Sequence, residues 1–391
     1  MKILFVDTLY GSVLEGLGYY SRPNIDEKFL ELNAALSDQN FGSGDNYASE
    51  LRTLGHDTSV IYANSFKSQL SWANENSIES KAAQSFMWKR WQLVSRIPLI
   101  GPLIHRTFPL TKILLEQIKA TKPNIVYVLN VNLLDRKLLA KIKSFGSIVV
   151  GQIASPLPPM RMLEGYDHIF SAHPGQVEHF HRKGISSSWL PLAFDQGQFV
   201  SLEKVGWPKR TRDVTFIGTF GRHQKNTAPL LKALSAEIPT LEIFTFASKK
   251  KLRKFGLDQH LKGKAWGSDM YRIFAESKIV INRHGKVADG YSVNFRMFEA
   301  TGMGALLVTE RGKNVSDLFE PEREILVYES IAEAVELTKK ALMDFESYSD
   351  VAKAGQRRTL QDHTFSKRSN ELHKGLTKLV AGQGNTKTKN N

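Results

Sequence analysis

Apolar runs of strand length recur along the first half of the chain. The opening KILFVDTLY is apolar on both faces, which is typical of a parallel strand that helices cover on both sides. A helix predicted to end at Leu54-Gly55 and a strand over 56–64 come next. Further strands are predicted over 123–130 and 146–154. Because strands and helices alternate, the first half is predicted to be a doubly wound α/β domain.

The alternation restarts in the second half, after a polar break at Pro208-Lys209-Arg210. Its predicted elements are a strand over 213–218, a helix over 226–236, a strand over 241–246, a basic helix over 249–256, a helix over 269–276, the strand KIVIN, a helix over 293–301, the strand GALLVTE and helices from 330 onward. We therefore predict two Rossmann-like domains that face each other across a cleft, over 1–195 and 196–375. The polar residues 376–391 are predicted to form a disordered tail.

Composition narrows the classes of partner and compartment. The 53 Lys and Arg residues outnumber the 39 Asp and Glu residues, and the net charge of +14 favours a polyanionic partner or a phosphorylated substrate. No zinc-ligand spacing, RNA-binding signature or helix-turn-helix pattern accompanies this charge, so nucleic acid is not expected as a partner. The sequence has no cysteine, no signal-peptide pattern and no apolar run of about 18 residues, and we expect a cytoplasmic protein.

The segment 277–310 carries the strongest chemical pattern, with a strand, a polar loop, a helix and a second strand in succession. Gly290 and Ser292 stand where the helix is predicted to begin, so that its free backbone N–H groups favour a phosphate there. Arg296 and Glu299 are predicted to share a helix face with Ser292. There the guanidinium suits phosphate oxygens and the carboxylate suits a ribose diol. An ordinary Arg–Glu surface pair is the alternative.

This segment resembles the group 1 glycosyltransferases of the GT-B fold, nearest to the CgeB-like proteins and related to glycosyltransferase family 4. The resemblance is carried by I-N-R-H-G, by G-Y-x-x-N-x-R-x-F-E-A-T-G-x-G-A-L-L-V-T-E, by GTFGR and DMYRIFAESKIVIN, and by the terminal HTFSKR. It covers nearly all of the second half and is weaker in the first. It implies the GT-B fold and transfer of a sugar from a nucleoside diphosphate sugar, without a cofactor.

The resemblance also implies a donor site in the second domain. Glu299 matches the second glutamate of the family's E-x7-E motif, at the ribose, whereas the first glutamate falls on Tyr291, with Asp289 two residues earlier as a substitute. This departure leaves retention or inversion at the anomeric carbon open. His284 is a catalytic candidate, because it follows a strand at the edge where open α/β sheets bind ligands, and a structural or solvated histidine is the alternative. The other donor-site residues implied are Asn282, Arg283, Tyr291 and Asn294.

A second glycine-containing turn, GTFGR, follows the strand DVTFI. Gly218 allows close approach of an anion to the backbone. Arg222 and Lys225 are suited to neutralise a leaving diphosphate, with Arg222 as the catalytic cation. A structural turn is the alternative, since such turns are common in parallel α/β folds. Trp266 is predicted either to stack on the nucleotide base or to pack in the core.

The first domain offers a turn before a predicted helix, in which Gly42, Ser43, Gly44 and Asp45 are candidates to contact the acceptor or the donor diphosphate. A plain connecting loop is the alternative. The segment 151–175 offers further polar groups, but its sequence assigns no catalytic base. These groups are Gln152, Ser155 and His173.

The stretch 80–115 holds six Lys or Arg residues and no acid, interleaved with aromatic residues such as Trp88 and Trp91. This composition suits docking to an anionic membrane surface, which would place the protein on the inner face of the cell membrane. Helices that pack on the first sheet and expose a basic face are the alternative.

The predicted function is transfer of a sugar to a hydroxyl of a glycan or a lipid-linked acceptor, without a bound metal. Two other functions remain open on the same architecture, a nucleotide-sugar 2-epimerase and a non-catalytic platform that binds a membrane or a partner. The missing first glutamate favours the platform.

Overall fold

The computed structural model describes residues 1–24, 26–39, 43–78, 110–220 and 227–387. Within these residues the first sheet contains β1 (Lys2–Asp7), β2 (Asp57–Tyr62), β3 (Ile125–Val128), β4 (Ile148–Ile153), β5 (His168–Ser171) and β6 (Ser187–Trp189). The second contains β7 (Arg212–Ile217), β8 (Leu241–Phe244), β9 (Leu261–Gly263), β10 (Ser277–Asn282), β11 (Leu306–Glu310) and β12 (Leu326–Tyr328). The strand orders are β2-β1-β3-β4-β5-β6 and β12-β11-β10-β7-β8-β9, and neighbouring strands are parallel. The predicted pair of Rossmann-like domains is confirmed.

Helices connect the strands and cover both sheets. In the first half they are α1 (Gly11–Gly16), α2 (Phe29–Ser37), α3 (Gly44–Thr53), α4 (Phe66–Glu75), α5 (Leu110–Thr121), α6 (Arg136–Lys143) and α7 (Pro174–Arg182). From the linker onward they are α8 (Gln196–Val205), α9 (Thr227–Glu237), α10 (Lys249–Arg253), α11 (Gly267–Glu276), α12 (Arg296–Gly302), α13 (Val315–Leu318), α14 (Ile331–Met343), α15 (Phe345–Asp362) and α16 (Phe365–Lys387).

Side chains of β1 alternate between two hydrophobic clusters, one on each face of the first sheet. Ile3 and Phe5 pack in the cluster that contains Tyr47 of α3. Leu4 and Val6 pack in the cluster that contains Ile118 of α5. Because helices cover both faces, every position of the strand can be apolar, which explains the unbroken apolar run in the sequence.

Most of the basic, acid-free stretch lies outside the described residues, since the structure describes nothing between 78 and 110. Its last residues begin α5, where Leu110, Ile113 and Leu114 are buried. The alternative of a helix that packs on the first domain therefore holds for residues 110–115. Among the described residues, no helix combines the length and the apolar character needed to cross a membrane.

The chain crosses between the domains twice, and the two crossings are joined. Phe194 donates its backbone N–H to His363 (2.7 Å) and accepts a hydrogen bond from the backbone of Phe365 (3.0 Å). The second crossing leads into α16, which returns to the first domain. There the ring of Phe365 meets Tyr47 of α3 edge-on, with ring centroids 5.0 Å apart.

The predicted disordered tail is wrong for residues 376–387, because they form the second half of α16. Leu372 and Leu376 are buried in the cluster of the first domain, and Leu379 and Val380 pack against it. These positions recur at the helical spacing of three to four residues, so one face of α16 is apolar although its composition is polar. The helix also attaches residues 365–375 to the first domain, although the sequence assigned them to the second.

We predict that Leu376→Ala lowers the free energy of unfolding by about 2 to 5 kcal/mol, because truncation of this buried side chain leaves a cavity between α16 and the first domain. Lys378→Ala, two residues further on an exposed face of the same helix, should change it by less than about 0.5 kcal/mol. Urea denaturation of the two variants measures the difference. Equal stabilities would mean that α16 does not contribute to the fold of the first domain.

Candidate functional site

The carboxyl ends of the two sheets face each other across the predicted cleft. Ala172, directly after β5, lies in the hydrophobic cluster of the second domain. The ring of His173 packs against that of Tyr291 at an angle of 49°, with centroids 4.5 Å apart. At another point, a Cβ placed on Gly267 would lie 2.9 Å from the carbonyl oxygen of Gln39. Ligands of doubly wound sheets bind at carboxyl edges, so the cleft is the candidate site.

The loop after β10 brings the predicted donor residues together on the second domain. Asn282 donates from Nδ2 to the Thr309 hydroxyl (2.8 Å), and Arg283 donates to Glu310 Oε1 (2.9 Å). The backbone N–H of His284 donates to the other oxygen of Glu310 (3.2 Å). The end of β11 therefore holds the end of β10 in place through side chains.

Asn294 is the residue that joins this loop to α12. Its Nδ2 donates to Asn282 Oδ1 (2.9 Å) and to the carbonyl oxygen of Arg283 (3.2 Å). Its Oδ1 accepts the backbone N–H of Met297 (3.3 Å), so the same side chain also caps the first turn of the helix. An amide is suited to this position, since it donates and accepts at once.

His284 is buried between Asn294 and Thr309, whose hydroxyl lies 3.5 Å from Nε2. Burial lowers the pKa of His284 to about 4. The imidazole is therefore neutral at physiological pH and brings no positive charge to a diphosphate. Its assignment as a catalytic residue stays a prediction.

The predicted start of the helix near Ser292 is wrong. Asp289 and Gly290 both have positive φ, 43° and 77°, and the chain turns there before α12 begins at Arg296. Ser292 lies in the turn and donates its backbone N–H to Asn314 Oδ1 (2.7 Å). It therefore does not share a helix face with Arg296 and Glu299, and the positive end of the helix dipole lies at Arg296 instead.

Arg296 and Glu299 form a hydrogen-bonded ion pair at the carboxyl edge of the second sheet. Arg296 also donates from Nε to the carbonyl oxygen of Ile217, the last residue of β7 (3.2 Å). Glu299 is buried and Arg296 is half-buried, so the pair is not an ordinary solvated surface pair. It lies beside the turn that begins at Gly218.

Gly218 is required by packing, because a Cβ there would lie 2.6 Å from the ring of Phe216. Its N–H donates to the carbonyl oxygen of Phe244 (3.1 Å), so this donor is already used. Arg222 and Lys225 lie outside the described residues, as does Gly42. Their roles stay predictions.

Trp266 is 40% exposed, so the alternative that placed it in the core is wrong. It stacks on Phe246, with ring centroids 5.3 Å apart, and the ammonium group of Lys264 lies 5.6 Å from the centre of the Phe246 ring. An exposed aromatic pair beside a cation is a surface on which a flat base can stack.

On the first domain, the predicted turn is anchored to the sheet at the N-terminus of α3. The backbone N–H of Gly44 donates to Asp7 Oδ2 (3.1 Å), and a Cβ on Gly44 would lie 2.9 Å from the same oxygen. Asp45 accepts hydrogen bonds from Ser37 (2.8 Å) and from the hydroxyl of Tyr62. The side chain of Ser43 makes no capping hydrogen bond.

Among the polar groups in 151–175, His173 contacts the opposite domain through Tyr291. Gln152 accepts a hydrogen bond from Tyr127 (2.8 Å) inside the first domain, and the carbonyl oxygen of Ser155 accepts one from Gln176 (3.0 Å). Tyr291 lies between His173 and the ammonium group of Lys313, which is 4.9 Å from the centre of its ring. Burial lowers the pKa of His173.

Asp7 is a residue that the sequence analysis did not single out as a site. It ends β1, is 6% exposed, and accepts backbone N–H groups of Thr8 (2.7 Å) and Gly44. Burial, with a smaller contribution from Asp45, raises the pKa of Asp7 from 3.8 to about 6. The sequence feature that could have identified Asp7 as a site residue is its position as an acid at the end of a largely apolar strand, at the edge where ligands bind.

Comparisons with known proteins agree with this fold. The model of a family described as glycosyl transferase-like matches residues 222–374. HepE from Anabaena, solved in complex with UDP-glucose, is similar with a TM-score of 0.60 and 12% identity, over 97% of this chain and 100% of that one. The protein has the GT-B fold. The resemblance to GT-B glycosyltransferases is thus confirmed, and its CgeB-like subgroup stays a prediction.

Other GT-B structures give the same result. Sucrose-phosphate synthase from Thermosynechococcus elongatus has a TM-score of 0.60 and 9% identity, over 98% of this chain and 100% of that one. AviGT4, a glycosyltransferase involved in avilamycin A biosynthesis, has a TM-score of 0.60 and 11% identity, over 98% of both chains. A search of curated protein sequences finds no match. At these identities the neighbours establish the fold, and the activity is argued separately.

The raised pKa of Asp7 predicts a pH-dependent stability. A group with a raised folded-state pKa stabilises the protein fully below its unfolded value of 3.8, and this contribution is lost as the pH rises through about 6. Asp7→Asn removes the ionisation, and its one oxygen keeps one of the two backbone N–H hydrogen bonds, while the loss of the other is the same at every pH. Since one pKa unit is worth about 1.4 kcal/mol, the unfolding free energy of the variant relative to the wild type should be about 1 to 3 kcal/mol higher at pH 8 than at pH 4.

Urea denaturation at pH 4, 6 and 8 measures this gain. The exposed Asp350→Asn serves as the control and should have a small effect at every pH. A gain that is the same at pH 4 and pH 8 would contradict the raised pKa.

Proposed function

We propose that the protein is a glycosyltransferase that moves a sugar from a nucleoside diphosphate sugar to a hydroxyl of a glycan or lipid-linked acceptor. The observation that carries the proposal is the placement of Arg296 and Glu299 at the carboxyl edge of the second sheet, opposite the first domain. The match of a glycosyl transferase-like model to the same domain supports it, and so does the GT-B fold shared with a protein solved with UDP-glucose.

The donor nucleotide would lie along the edge of the second domain. The stacked pair of Trp266 and Phe246 is suited to hold the base, and Glu299 is suited to accept two hydrogen bonds from the ribose. Arg296 would then contact the diphosphate, with its positive charge oriented by Glu299 and Ile217. The loop with Asn282, Arg283, Tyr291 and Asn294 would surround the sugar.

The leaving diphosphate needs positive charge, because negative charge grows on it as the glycosidic bond breaks. We propose that Arg222 and Lys225 supply it together with Arg296, and that a metal ion is not needed. The acceptor would enter from the first domain. A peripheral position on the cytoplasmic face of a membrane is part of the same proposal and rests on the composition of 80–115.

A thermal-shift screen with UDP-, GDP-, ADP-, TDP- and CMP-sugars tests the donor class, because a ligand that binds the folded state raises the midpoint according to its affinity. We expect one nucleoside diphosphate class to stabilise the protein. The transfer reaction is then measured by the amount of nucleoside diphosphate released. Conversion of the free donor into its 2-epimer would identify an epimerase instead, and no shift with any sugar would indicate a non-catalytic protein.

Glu299→Gln should weaken binding of the stabilising nucleotide sugar by about 1 to 3 kcal/mol, the range for hydrogen bonds to a charged group. Glu320→Gln is the matched control, since Glu320 forms the same i,i+3 pair with Arg323 on an exposed surface of the same domain. Calorimetric titration of both variants gives the affinities. Equal loss in both, or none in Glu299→Gln, would rule out the ribose assignment.

Arg222→Ala should lower kcat more than it raises KM, because the proposed contact strengthens only as the diphosphate leaves. Steady-state kinetics with the donor found in the screen separate the two effects. Lys209→Ala, which removes a cation from the linker, is the control and should leave both constants unchanged. A normal kcat with a raised KM would make Arg222 a binding residue only.

A further inference from the structure

Buried polar atoms without a hydrogen-bond partner are concentrated where the two domains meet. Proteins pair nearly all such atoms, so each exception needs a physical reason. Ten are found among the described residues, and three of them are Oγ of Ser292, Nδ2 of Asn314 and Nδ1 of His173. These residues are 3%, 4% and 5% exposed. The contact between the domains therefore contains hydrogen-bonding groups that the protein itself does not use.

Two loops at the carboxyl edge of the second sheet place Ser292 and Asn314 side by side. Asn314 Oδ1 accepts the backbone N–H of Ser292 (2.7 Å), whereas the amide nitrogen of the same side chain has no acceptor among the described residues. Gly312 lies directly against this pair, since a Cβ placed there would be 2.3 Å from Oγ of Ser292. An amide nitrogen can only donate and a hydroxyl can donate as well, so the pair suits a ligand that accepts hydrogen bonds.

Lys313 adds a positive charge to the same loops. Its backbone N–H donates to the carbonyl oxygen of Gly290 (2.7 Å), and its ammonium group lies 4.9 Å from the centre of the Tyr291 ring. A Cβ on Gly290 would lie 3.3 Å from Cε of Lys313, so a glycine leaves room for the lysine side chain to cross the loop. The crossing brings the ammonium group to the ring that contacts the first domain.

No acid among the described residues neutralises Lys313. The neighbouring cations Arg283 and Arg296 each form an ion pair with a glutamate, whereas none of the ion pairs in the described part of the chain includes Lys313. Asp289, the acid of the facing loop, is exposed and is likewise in none of them. An ammonium group beside buried hydrogen-bond donors favours an anion, because the anion both accepts the hydrogen bonds and balances the charge.

His173 lies opposite these loops, on the first domain. Its ring packs against Tyr291, the same ring that the ammonium group of Lys313 approaches. Burial lowers the pKa of His173, and the positive charge of Lys313 acts in the same direction, whereas the backbone of Ala288 and the charge of Asp289 act in the opposite direction. A group bound beside Lys313 would therefore contact both domains.

We propose that these groups bind a carboxylate on the donor sugar, so that the donor is a nucleoside diphosphate uronic acid, an inference that rests on the proposed glycosyl transfer. Ser292, Lys313 and Asn314 belong to the second domain, which is proposed to hold the donor. One ammonium group balances one carboxylate, whereas the more highly charged diphosphate is assigned to other cations of this domain. A neutral hexose would leave the charge and the buried donors without partners.

Two pairs of ligands isolate the effect of the carboxylate. UDP-glucuronic acid differs from UDP-glucose, and GDP-mannuronic acid from GDP-mannose, only in a carboxylate that replaces a hydroxymethyl group. Calorimetric titration of the wild type, Lys313→Met and Lys141→Met gives the ratio of affinities within each pair. Lys141 is the matched control, because its ammonium group also lies over an aromatic ring, 5.4 Å from the centre of Phe145, but on α6 of the first domain.

We expect the wild type to bind the acid of one pair about 10- to 100-fold more tightly than its neutral partner, the range for hydrogen bonds to a charged group. Lys313→Met should abolish this preference and leave the affinity for the neutral sugar unchanged, whereas Lys141→Met should keep the preference. Added salt should reduce the ratio in the wild type, because the carboxylate is held by charge.

Ser292→Ala gives a second measurement. An unpaired buried hydroxyl destabilises the protein without ligand, so its removal should raise the thermal midpoint by about 1 to 4 °C. The same variant should show a smaller further rise with the uronic acid than the wild type does. A purely structural role of Ser292 would lower the midpoint equally with and without the ligand, and that result would contradict its assignment to the ligand.

Equal affinity within both pairs, or binding of neutral nucleotide sugars alone with any base, would overturn the inference and leave the glycosyltransferase proposal standing. A preference for the acid that survives in Lys313→Met would overturn it as well. Equal loss of the preference in Lys141→Met would assign it to the overall charge of the protein instead of these loops. Failure to bind any nucleotide sugar would instead overturn the proposed function.

Discussion

The site depends on the contact between the last helix and the first domain. The two crossings of the chain are joined by backbone hydrogen bonds of Phe194, and the second leads into α16. Phe365 and Leu372 then pack in the same cluster as Tyr47 of α3. Because the N-terminus of α3 is hydrogen-bonded to Asp7, a helix at the end of the sequence supports the edge of the first sheet.

Asp7 is an acid whose burial at the carboxyl edge of the first sheet lowers the stability of the fold when it is ionised. Burial destabilises the ionised carboxylate more than its two backbone N–H hydrogen bonds stabilise it, so its pKa is raised. The fold tolerates this cost because Gly44 leaves room for the carboxylate and supplies an N–H, whereas any side chain there would collide with it. Groups that weaken a fold in this way are concentrated at functional sites.

At the carboxyl edge of the second sheet, amide side chains and ion pairs fix the positions of the loops, and no helix begins at Ser292. Asn294 links Asn282 to the first turn of α12, and Arg296 links α12 to the end of β7. The ends of β7 and β10 are thereby both held to α12. This arrangement leaves Tyr291 packed against His173 of the first domain.

Much of the architecture follows from the sequence alone. Buried parallel strands require uninterrupted apolar runs, so KILFVD and KIVIN identified β1 and β10 without any knowledge of contacts. The spacing of Arg296 and Glu299 also predicted that they lie together, because a helix repeats every 3.6 residues. The predicted start of α12 was wrong. The polar residues before it resemble a helix N-terminus, but two of them, Asp289 and Gly290, have positive φ and turn the chain before the helix begins.

Only the tertiary structure decided the rest. The helix α16 is ordered because its apolar face packs against the first domain. The average composition of the segment is polar and does not reveal this face. The burial of His284 and of Asp7, and hence their opposite pKa shifts, depends on residues far apart in the chain that enclose them. Sequence determines which groups can ionise, whereas the surroundings that make ionisation costly are assembled only by folding.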